Sequence, residues 1–307
     1  MKKLVSLIFI INIFLTNCYS AEIKIEFQVG KEIITNFDIK KEVNYLTALN
    51  NSLLELENSQ ILEIATDSLI KEKIKYIELK KYYEFKSEDK YLNQIYSNFI
   101  NRLKLQNENE INEYFKKFNL TKEEILAKIQ IETLWNQLIF EKYNSQVIIK
   151  KDLIRDKLKK LEQTKNIKEV NLSEIVFQIK DQNNLDQKLN EIKKSILKVG
   201  FENTANLYSI SDSKSFGGKI GWINESSLSE LIISNIKDLK KDEISSPINI
   251  GSNYILLKIN EIRKSEKKID KNEEYKKLEL LERDRQLNKF SMIYFNKVKI
   301  NTNVKKF

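Results

Sequence analysis

The sequence predicts an α+β protein, in which a mostly helical N-terminal domain is completed by a C-terminal helix and one α+β domain is inserted between them. Three observations predict this division. The 307 residues are enough for two domains. No glycine or proline occurs between Lys31 and Val199, which favours long helices. Five of the six glycines and the only proline lie between residues 200 and 251, as is typical of a turn-rich unit.

These observations divide the chain into five segments. From the N-terminus, we predict a signal peptide (1–21), a helical domain (22–150), a linker or helix (151–167), the inserted α+β domain (168–264), and a C-terminal helix and strand (265–307). We expect the last segment to pack on the helical domain. The opening strand of that domain has only a short partner nearby, and a lone hairpin is marginal in water.

The first 21 residues have the pattern of a secretory signal. Two lysines precede an apolar stretch at residues 4–15. That stretch is shorter than the roughly 20 residues that a membrane span needs, and no later segment is long and apolar enough. The protein is therefore predicted to be exported and to have no transmembrane segment. Two processing routes stay open, namely cleavage after Ser20 or Ala21, and a lipid anchor at Cys18.

Composition excludes several classes of site. The chain has no histidine, and its one cysteine lies in the predicted signal peptide. Mechanisms that need a Ser-His-Asp triad, a Cys-His pair or a histidine-containing zinc site are therefore excluded. We expect neither a metal nor a cofactor. The net charge of +9 comes from basic residues interleaved with acidic ones, so we expect no nucleic-acid partner.

The helical domain is predicted to open with a strand and to continue with helices. Apolar and polar residues alternate over residues 23–29, which predicts the strand. Thr35 with Asp38, and Thr121 with Glu124, have the spacing of capping boxes at helix starts. The apolar residues that follow recur at helical spacing, which indicates faces that pack against one another.

The C-terminal segment is predicted to form a long helix and a short strand. Apolar residues at helical spacing over residues 278–294 indicate the helix. Val298 and Ile300 alternate with lysine and asparagine, which predicts a terminal strand.

The inserted domain is predicted to contain strands and helices in a definite order. Gly200 is expected to stop its first helix at a left-handed cap position. The predicted elements are a strand at 170–179, helices at 184–199 and 201–208, an extended segment at 220–223, a helix at 228–236, and strands at 248–250 and 254–262.

Four segments of the inserted domain resemble a known family. They read FENTANLYS from Phe201, GGKIGW from Gly217, KKDEISSPI from Lys240 and YILLKI from Tyr254. In this order they resemble the parvulin family of peptidyl-prolyl isomerases, and the resemblance covers residues 168–264. It implies an α+β scaffold of the parvulin type and peptidyl-prolyl cis-trans isomerase (rotamase) activity.

The start of the mature chain carries a second resemblance. Residues 27–39, FQVGKEIITNFDI, fit the opening of the SurA family of periplasmic chaperones. That family also combines a helical domain, a parvulin unit and a returning C-terminal helix. The resemblance implies a periplasmic location and a role in outer-membrane protein assembly. The implied partners are unfolded outer-membrane proteins or other exported proteins.

The polar centre of the parvulins is replaced in this chain. The resemblance places the two family histidines at Glu174 and Ile255, and the family Cys or Asp at Ser211, beside Asp212. These four residues are candidates for a degenerate catalytic centre, and we assign no catalytic residue beyond them. A carboxylate at Glu174 would repel a substrate carbonyl oxygen, so we expect isomerase activity to be weak or lost.

Four further residues are candidates for substrate binding: Leu228, Ile232, Trp222 and Tyr254. The resemblance places Leu228 and Ile232 at the positions that hold the substrate proline. Prolyl isomerisation breaks no bond, so an apolar pocket with a few oriented polar groups can suffice. The alternative is that Leu228 and Ile232 are ordinary core residues, four apart on one helix.

Two functions therefore remain open. The first is an ATP-independent periplasmic chaperone that binds unfolded outer-membrane proteins, since no nucleotide-binding motif is visible in the sequence. The second is an active peptidyl-prolyl isomerase that assists the folding of exported proteins. A proline-peptide assay distinguishes them.

Overall fold

The computed structural model describes residues 22–85, 90–163, 167–179, 185–251, 253–265 and 270–307. The predicted signal peptide, including Cys18, lies outside these described residues. A helical domain is built from both ends of the described chain. An inserted unit, residues 167–265, contains a four-stranded antiparallel sheet. The predicted fold class is confirmed.

Helices and strands follow one another in the order that the sequence indicated. The helices are α1 (Asn36–Leu49), α2 (Asn58–Leu79), α3 (Lys90–Arg102), α4 (Glu108–Lys117), α5 (Lys122–Tyr143), α6 (Lys151–Gln163), α7 (Leu185–Tyr208), α8 (Glu230–Ile236) and α9 (Lys271–Ile300). The strands are β1 (Ile25–Val29), β2 (Glu32–Thr35), β3 (Ile167–Phe177), β4 (Lys219–Asn224), β5 (Ile248–Asn249), β6 (Tyr254–Ser265) and β7 (Val304–Lys306).

Both predicted capping boxes form. At the start of α1, the Asp38 amide donates to Thr35 Oγ1 (3.2 Å) and the Thr35 amide donates to Asp38 Oδ2 (2.8 Å). At the start of α5, the Glu124 amide donates to Thr121 Oγ1 (3.2 Å) and the Thr121 amide donates to Glu124 Oε2 (3.0 Å). Each box satisfies amides that have no acceptor within their own helix, which fixes where the helix begins.

Helix α9 completes the core of the helical domain, as predicted. Trp135 of α5 is 1% exposed, and its indole nitrogen donates to Ser291 Oγ of α9 (2.9 Å). Tyr294 and Val298 of α9 are buried in the same apolar cluster. The Tyr294 hydroxyl donates to Glu78 Oε1 of α2 (2.5 Å).

The C-terminal strand begins later than predicted. Val298 and Ile300 belong to α9, and the strand is β7, which pairs antiparallel with β1. The prediction from Val298 and Ile300 is wrong because residues two apart also occur on different sides of a helix. Here Val298 is buried against the core while Ile300 is exposed. The helix ends at Ile300 and Asn301 caps it, and the chain then turns to pair with β1.

The sheet of the inserted unit has the strand order β4-β3-β6-β5, and each of its two faces carries an apolar cluster. Val170, Leu172 and Val176 point to one face, which α8 covers through Ile236. We call it the α8 face. The intervening residues of β3, such as Ile175, point to the α7 face, which α7 covers.

The inserted unit docks on the helical domain through α7. Gly200 interrupts the helix with a φ of +80° and a ψ of 169°, which confirms the predicted stop. The ψ angle is extended and not left-handed helical, so the predicted left-handed cap conformation is wrong. On the far side of this interruption, Asn203 Nδ2 donates to the carbonyl oxygen of Ser52 (3.0 Å). Val199 and Leu207 pack against the core of the helical domain. The two parts therefore meet through specific contacts as well as through their chain connections.

Candidate functional site

A cavity of about 1060 Å³ lies between the helical domain and the inserted unit. Helices α1, α2, α3, α5 and α9 form its helical wall, with Lys128 and Trp135 among the lining residues. The opposite wall comes from β3, the segment after α7 and the start of β4, and it includes Glu174, Ser211 and Ser213. Two of the predicted polar-centre residues, Glu174 and Ser211, therefore border the space between the two parts.

Two serine hydroxyls hold the Glu174 carboxylate. Glu174 Oε1 accepts hydrogen bonds from Ser211 Oγ (2.6 Å) and from Ser213 Oγ (2.8 Å). The two serine oxygens lie 3.2 Å apart. The structure therefore brings together two predicted candidates, Glu174 and Ser211, and adds a third residue, Ser213.

Ser213 is absent from the residues that the sequence predicted. Its signal is the spacing of Ser209, Ser211 and Ser213 at alternate positions. Ser209 is buried, and its hydroxyl oxygen accepts from the Val176 amide (3.1 Å), which ties this serine segment to β3. The side chain of Asp212, the remaining polar candidate, lies outside the described part of the chain.

Gly218 sets the approach of the serine segment to β3. Its carbonyl oxygen accepts from the Glu174 amide at 2.8 Å. Its φ is +76°, and an added Cβ would lie 2.2 Å from the Glu174 carbonyl oxygen. Only glycine combines this backbone conformation with so close an approach. The second glycine of the GGKIGW motif therefore helps to position Glu174.

The α8 face carries the other parvulin-related positions. Ile255 is 6% exposed and lies in the apolar cluster of this face. Leu228 and Ile232 pack against the same cluster and are partly buried. Glu174 belongs to this face because it pairs with Leu257, another member of the cluster. The four positions therefore share one face, and the role of Leu228 and Ile232 in binding proline stays a prediction.

Trp222 and Tyr254 point away from the α8 face. The Tyr254 ring stacks on Phe177 of the α7 face, with 5.9 Å between the ring centroids. Trp222 precedes Ile223, which packs on the α8 face, and successive residues of a strand point to opposite faces. The Arg263 guanidinium covers the Trp222 ring at 4.1 Å. The structure therefore does not bring either aromatic residue to the predicted proline pocket.

The helical wall contains a compensated cluster of charges. Lys128 Nζ lies 2.5 Å from Glu42 Oε2 and also pairs with Glu72. Ser68 Oγ donates to Glu42 Oε1 (2.7 Å). Burial raises the pKa of the Glu42 carboxyl, although Lys128 acts against this shift. Burial also disfavours the charge on Lys128, but its two carboxylate partners outweigh that effect and hold the pKa of Lys128 above its ordinary value.

The arrangement is better suited to holding a ligand than to polarising one. Both serine hydroxyls direct their protons at Glu174, and the carboxylate itself only accepts hydrogen bonds. Stabilising charge on a substrate carbonyl oxygen needs donors instead. The described residues contain no group of three or more His, Cys, Asp or Glu side chains that could hold a metal ion. None of the described helices has the length and apolarity that a membrane span requires.

Comparison with known proteins identifies the inserted unit. Residues 168–261 match the family model described as rotamase, PPIC-type PPIase domain. A search of curated proteins finds no match.

Three solved structures are similar to the chain. A PpiC-type peptidyl-prolyl cis-trans isomerase domain is 21% identical, covering 32% of this chain and 94% of its own, with a TM-score of 0.29. A structure of the SurA-like chaperones PEB4 and Cj1289 of Campylobacter jejuni is 16% identical, covering 92% and 98%, with a TM-score of 0.36. The peptidylprolyl isomerase PrsA of Bacillus anthracis is 20% identical, covering 74% and 95%, with a TM-score of 0.32.

All three TM-scores are low, so these likenesses support no conclusion about function. The family match covers the same stretch as the parvulin resemblance of the sequence, and it confirms that resemblance. The chain therefore contains a domain of the PPIC-type PPIase family, inserted between a helical domain and the C-terminal helix that completes it.

Proposed function

We propose that this protein is an ATP-independent periplasmic chaperone that binds unfolded exported proteins, outer-membrane proteins among them, and that its parvulin-like domain is a weak or inactive isomerase. The observation that carries the proposal is the cavity of about 1060 Å³ between the helical domain and the inserted unit. Ligand sites occur preferentially where two domains meet. The sequence resemblance to the SurA family supports the same reading.

The lining of the cavity suits an extended polypeptide. Tyr91, Phe140 and Ile220 line it and are 59%, 44% and 40% exposed, respectively. Exposed apolar side chains within one recess are typical of a binding surface. Strands of outer-membrane proteins alternate apolar and polar residues. Such a chain can place apolar side chains on these three residues while its polar side chains meet the charged residues of the walls.

The polar centre supports the proposal of weak catalysis. The carboxylate at Glu174 receives the protons of Ser211 and Ser213, so the cluster presents no free hydroxyl donor to a substrate carbonyl. Ile255, at the second histidine position of the family, is buried and apolar. Among the described side chains of the centre, Glu174, Ser211, Ser213 and Ile255 therefore offer no oriented donor that would favour a twisted amide over a planar one.

The alternative is an active peptidyl-prolyl isomerase for exported proteins. The match of residues 168–261 to the PPIC-type PPIase domain favours it. So does the position of Leu228 and Ile232 on the same α8 face as Glu174, where they can form apolar walls for a proline ring.

An aggregation assay tests the chaperone proposal. An unfolded outer-membrane β-barrel protein is diluted from urea without ATP, and light scattering is followed with and without the mature chain. We expect suppression of aggregation, reduced by Phe140→Ser and Ile220→Ser in the cavity. Leu281→Ser is the matched control, because Leu281 is 44% exposed on α9 and does not line the cavity. Equal protection by all three variants would contradict a role for the cavity.

A proline-peptide assay on the full mature chain tests the isomerase part. We expect a rate far below that of an active parvulin. A rate near that of an active parvulin, lost in Leu228→Asp but kept in Leu281→Ser, would instead establish the alternative.

Fractionation tests the location. We expect the mature protein in the periplasm, with its N-terminus near Ala21 or Glu22 by mass spectrometry. A mature terminus at a lipid-modified Cys18 would place it on a membrane surface.

A further inference from the structure

Arg102 places a fixed guanidinium at the cavity. It is the last residue of α3, and it lies over the ring of Phe216 of the inserted unit, with 4.2 Å between Cζ and the ring centroid. Both residues line the cavity. Stacking uses the flat face of the guanidinium and leaves its N–H donors directed outward in the plane of the group.

The acidic residues that line the cavity already have partners. Glu42 and Glu72 pair with Lys128, Glu132 pairs with Lys75 (2.6 Å), and Glu174 accepts from two serines. Across the described ranges, by contrast, Arg102 makes no side-chain hydrogen bond and no ion pair, only its stack on Phe216.

Lys75, Lys128 and Lys219 of the cavity already pair with carboxylates, and this leaves Arg102 available to an anionic group. Of the ten charged residues that line the cavity, six are basic and four are acidic. The four acidic residues of the cavity are engaged with other partners and do not bind Arg102. A carboxylate that enters the cavity can therefore accept hydrogen bonds from the Arg102 guanidinium. The guanidinium fork matches the two oxygens of a carboxylate in a bidentate hydrogen bond.

We propose that Arg102 binds an aspartate or glutamate side chain of the bound polypeptide. The cavity then selects segments in which an acidic residue adjoins apolar ones, because Tyr91 and Ile220 line the same space. Phe216 positions the guanidinium by stacking, which reduces the freedom that Arg102 loses on binding. This inference rests on the proposed function, since it names the chemistry of the segments that the proposed chaperone holds.

A purely structural role would also place an arginine here. A cation in the last turn of a helix interacts favourably with the helix dipole, and the stack on Phe216 contributes to docking of the inserted unit. Both effects are independent of the charge of the ligand. The test therefore varies the ligand and the residue together.

The experiment measures binding of two labelled peptides to the full mature chain by fluorescence anisotropy. Both peptides alternate apolar and polar residues, and they differ only in a central glutamate or glutamine. We expect the glutamate peptide to bind about twofold to fivefold more tightly, as for an exposed ion pair, with the preference weakened by high salt.

Variants assign the preference to the arginine. Arg102→Gln should abolish the preference for the glutamate peptide while leaving the affinity for the glutamine peptide within about twofold. Phe216→Leu should reduce the preference without changing any charge. Arg155→Gln is the control, since Arg155 lies exposed on α6 outside the cavity, and it should behave as wild type. Thermal unfolding of each variant verifies that it is folded.

The outcomes separate this inference from the proposed function. If both peptides bind equally, or if folded Arg102→Gln keeps the preference, the role of Arg102 is overturned while the chaperone proposal stands. If neither peptide binds and aggregation is not suppressed, the proposed function is wrong, and so is the role of Arg102 that rests on it.

Discussion

The helical domain and the inserted unit assemble their cores in different ways. The inserted unit builds both of its apolar clusters from one continuous stretch, residues 167–265. The helical domain combines both ends of the chain, so that Val29 and Val298 belong to one cluster. Its hydrogen bond between Glu78 and Tyr294 joins residues 216 positions apart. The core contacts of the inserted unit stay within residues 167–265, whereas the helical domain depends on contacts between the two ends of the described chain.

The two parts also bury different polar groups. Among the described residues, the buried carboxylates, Glu42 and Glu78, both lie in the helical domain. The polar side chains buried in the inserted unit are uncharged serines, asparagines and a threonine. A buried charge depends more strongly on its partners and on pH than a buried amide or hydroxyl does. Loss of distant partners, and acid, should therefore act mainly on the helical domain.

Removal of residues 270–307 should cause the largest difference in stability between the helical domain and the inserted unit. It deletes α9 and β7, and so uncovers Trp135 and leaves Glu78 without the Tyr294 hydroxyl. We expect the helical domain to lose its cooperative unfolding transition while the inserted unit keeps one. Differential scanning calorimetry and circular dichroism of the truncated mature chain measure both.

A shorter truncation is the control for this experiment. Removal of residues 304–307 deletes β7 but keeps α9, so the helical domain should melt cooperatively at a lower temperature. If the chain without residues 270–307 melts as cooperatively as the intact chain, and at the same temperature, the assembly of the helical domain from both chain ends is refuted.

Two matched core substitutions should separate the stabilities of the two parts. Trp135 and Phe177 are each 1% exposed, in the helical domain and the inserted unit respectively. Truncation of either to alanine should cost about 3–5 kcal/mol of unfolding free energy. We expect each variant to shift only the transition of its own part in chemical denaturation. Equal shifts of one shared transition would mean that the two parts unfold as a single unit.

The contrast explains how much of the fold the sequence predicts. The capping boxes at Thr35 and Thr121 and the helix stop at Gly200 form as predicted, because each depends on a few neighbouring residues. The predicted strand at Val298 and Ile300 is wrong. Burial against a distant core decides between helix and strand there, and a local sequence pattern does not contain that information.

The candidate site was predictable to a smaller extent. The family motifs locate Glu174 and Ser211, which the structure joins in one cluster. Ser213 and the cavity were not predicted, because they depend on how the serine segment folds back and on how α7 docks. The alternation of side chains along β4 could have predicted that Trp222 points away from the α8 face, because the next residue, Ile223, packs on that face.

A pair of glycine substitutions should show how tightly the inserted unit fixes its site. Gly218→Ala places a Cβ 2.2 Å from the Glu174 carbonyl oxygen at a φ of +76°. Gly221→Ala meets a similar φ of +94°, but nothing lies within 4 Å of its added Cβ. We expect a loss of about 1 kcal/mol for Gly221→Ala, from backbone strain alone. Gly218→Ala should lose about 2–3 kcal/mol, because the backbone must also move.

Urea denaturation of both variants measures this difference, and it should appear only in the transition of the inserted unit. Equal losses for the two alanines would show that the segment after α7 shifts freely, and that Gly218 does not fix Glu174.

Acid should have the smallest effect on stability. It should act on the helical domain, where the buried carboxylates Glu42 and Glu78 lie. Burial opposes the charge on Glu78, but hydrogen bonds from Lys81 and Tyr294 outweigh it, so the pKa of Glu78 is held below its ordinary value of 4.5. The unfolded chain therefore binds the proton more readily than the folded one. This contribution to stability is fully present above the ordinary carboxyl pKa, and it is lost as the pH falls through the lowered value.

Glu78→Gln tests this assignment, because glutamine keeps the shape of the side chain and does not titrate. At pH 7 the variant should be less stable than wild type by about 1 kcal/mol. Hydrogen bonds to a charged group contribute more than this, but the glutamine amide still makes part of the interactions that the carboxylate makes. That gap should shrink as the pH falls below 4.5, where wild type also loses the charge. Glu63→Gln, at an exposed position of the same helix, should differ little from wild type at neutral pH. Urea denaturation across this pH range measures the difference in unfolding free energy between wild type and the variant. A difference that stays constant with pH would mean that the Glu78 carboxylate does not supply the acid sensitivity of the helical domain.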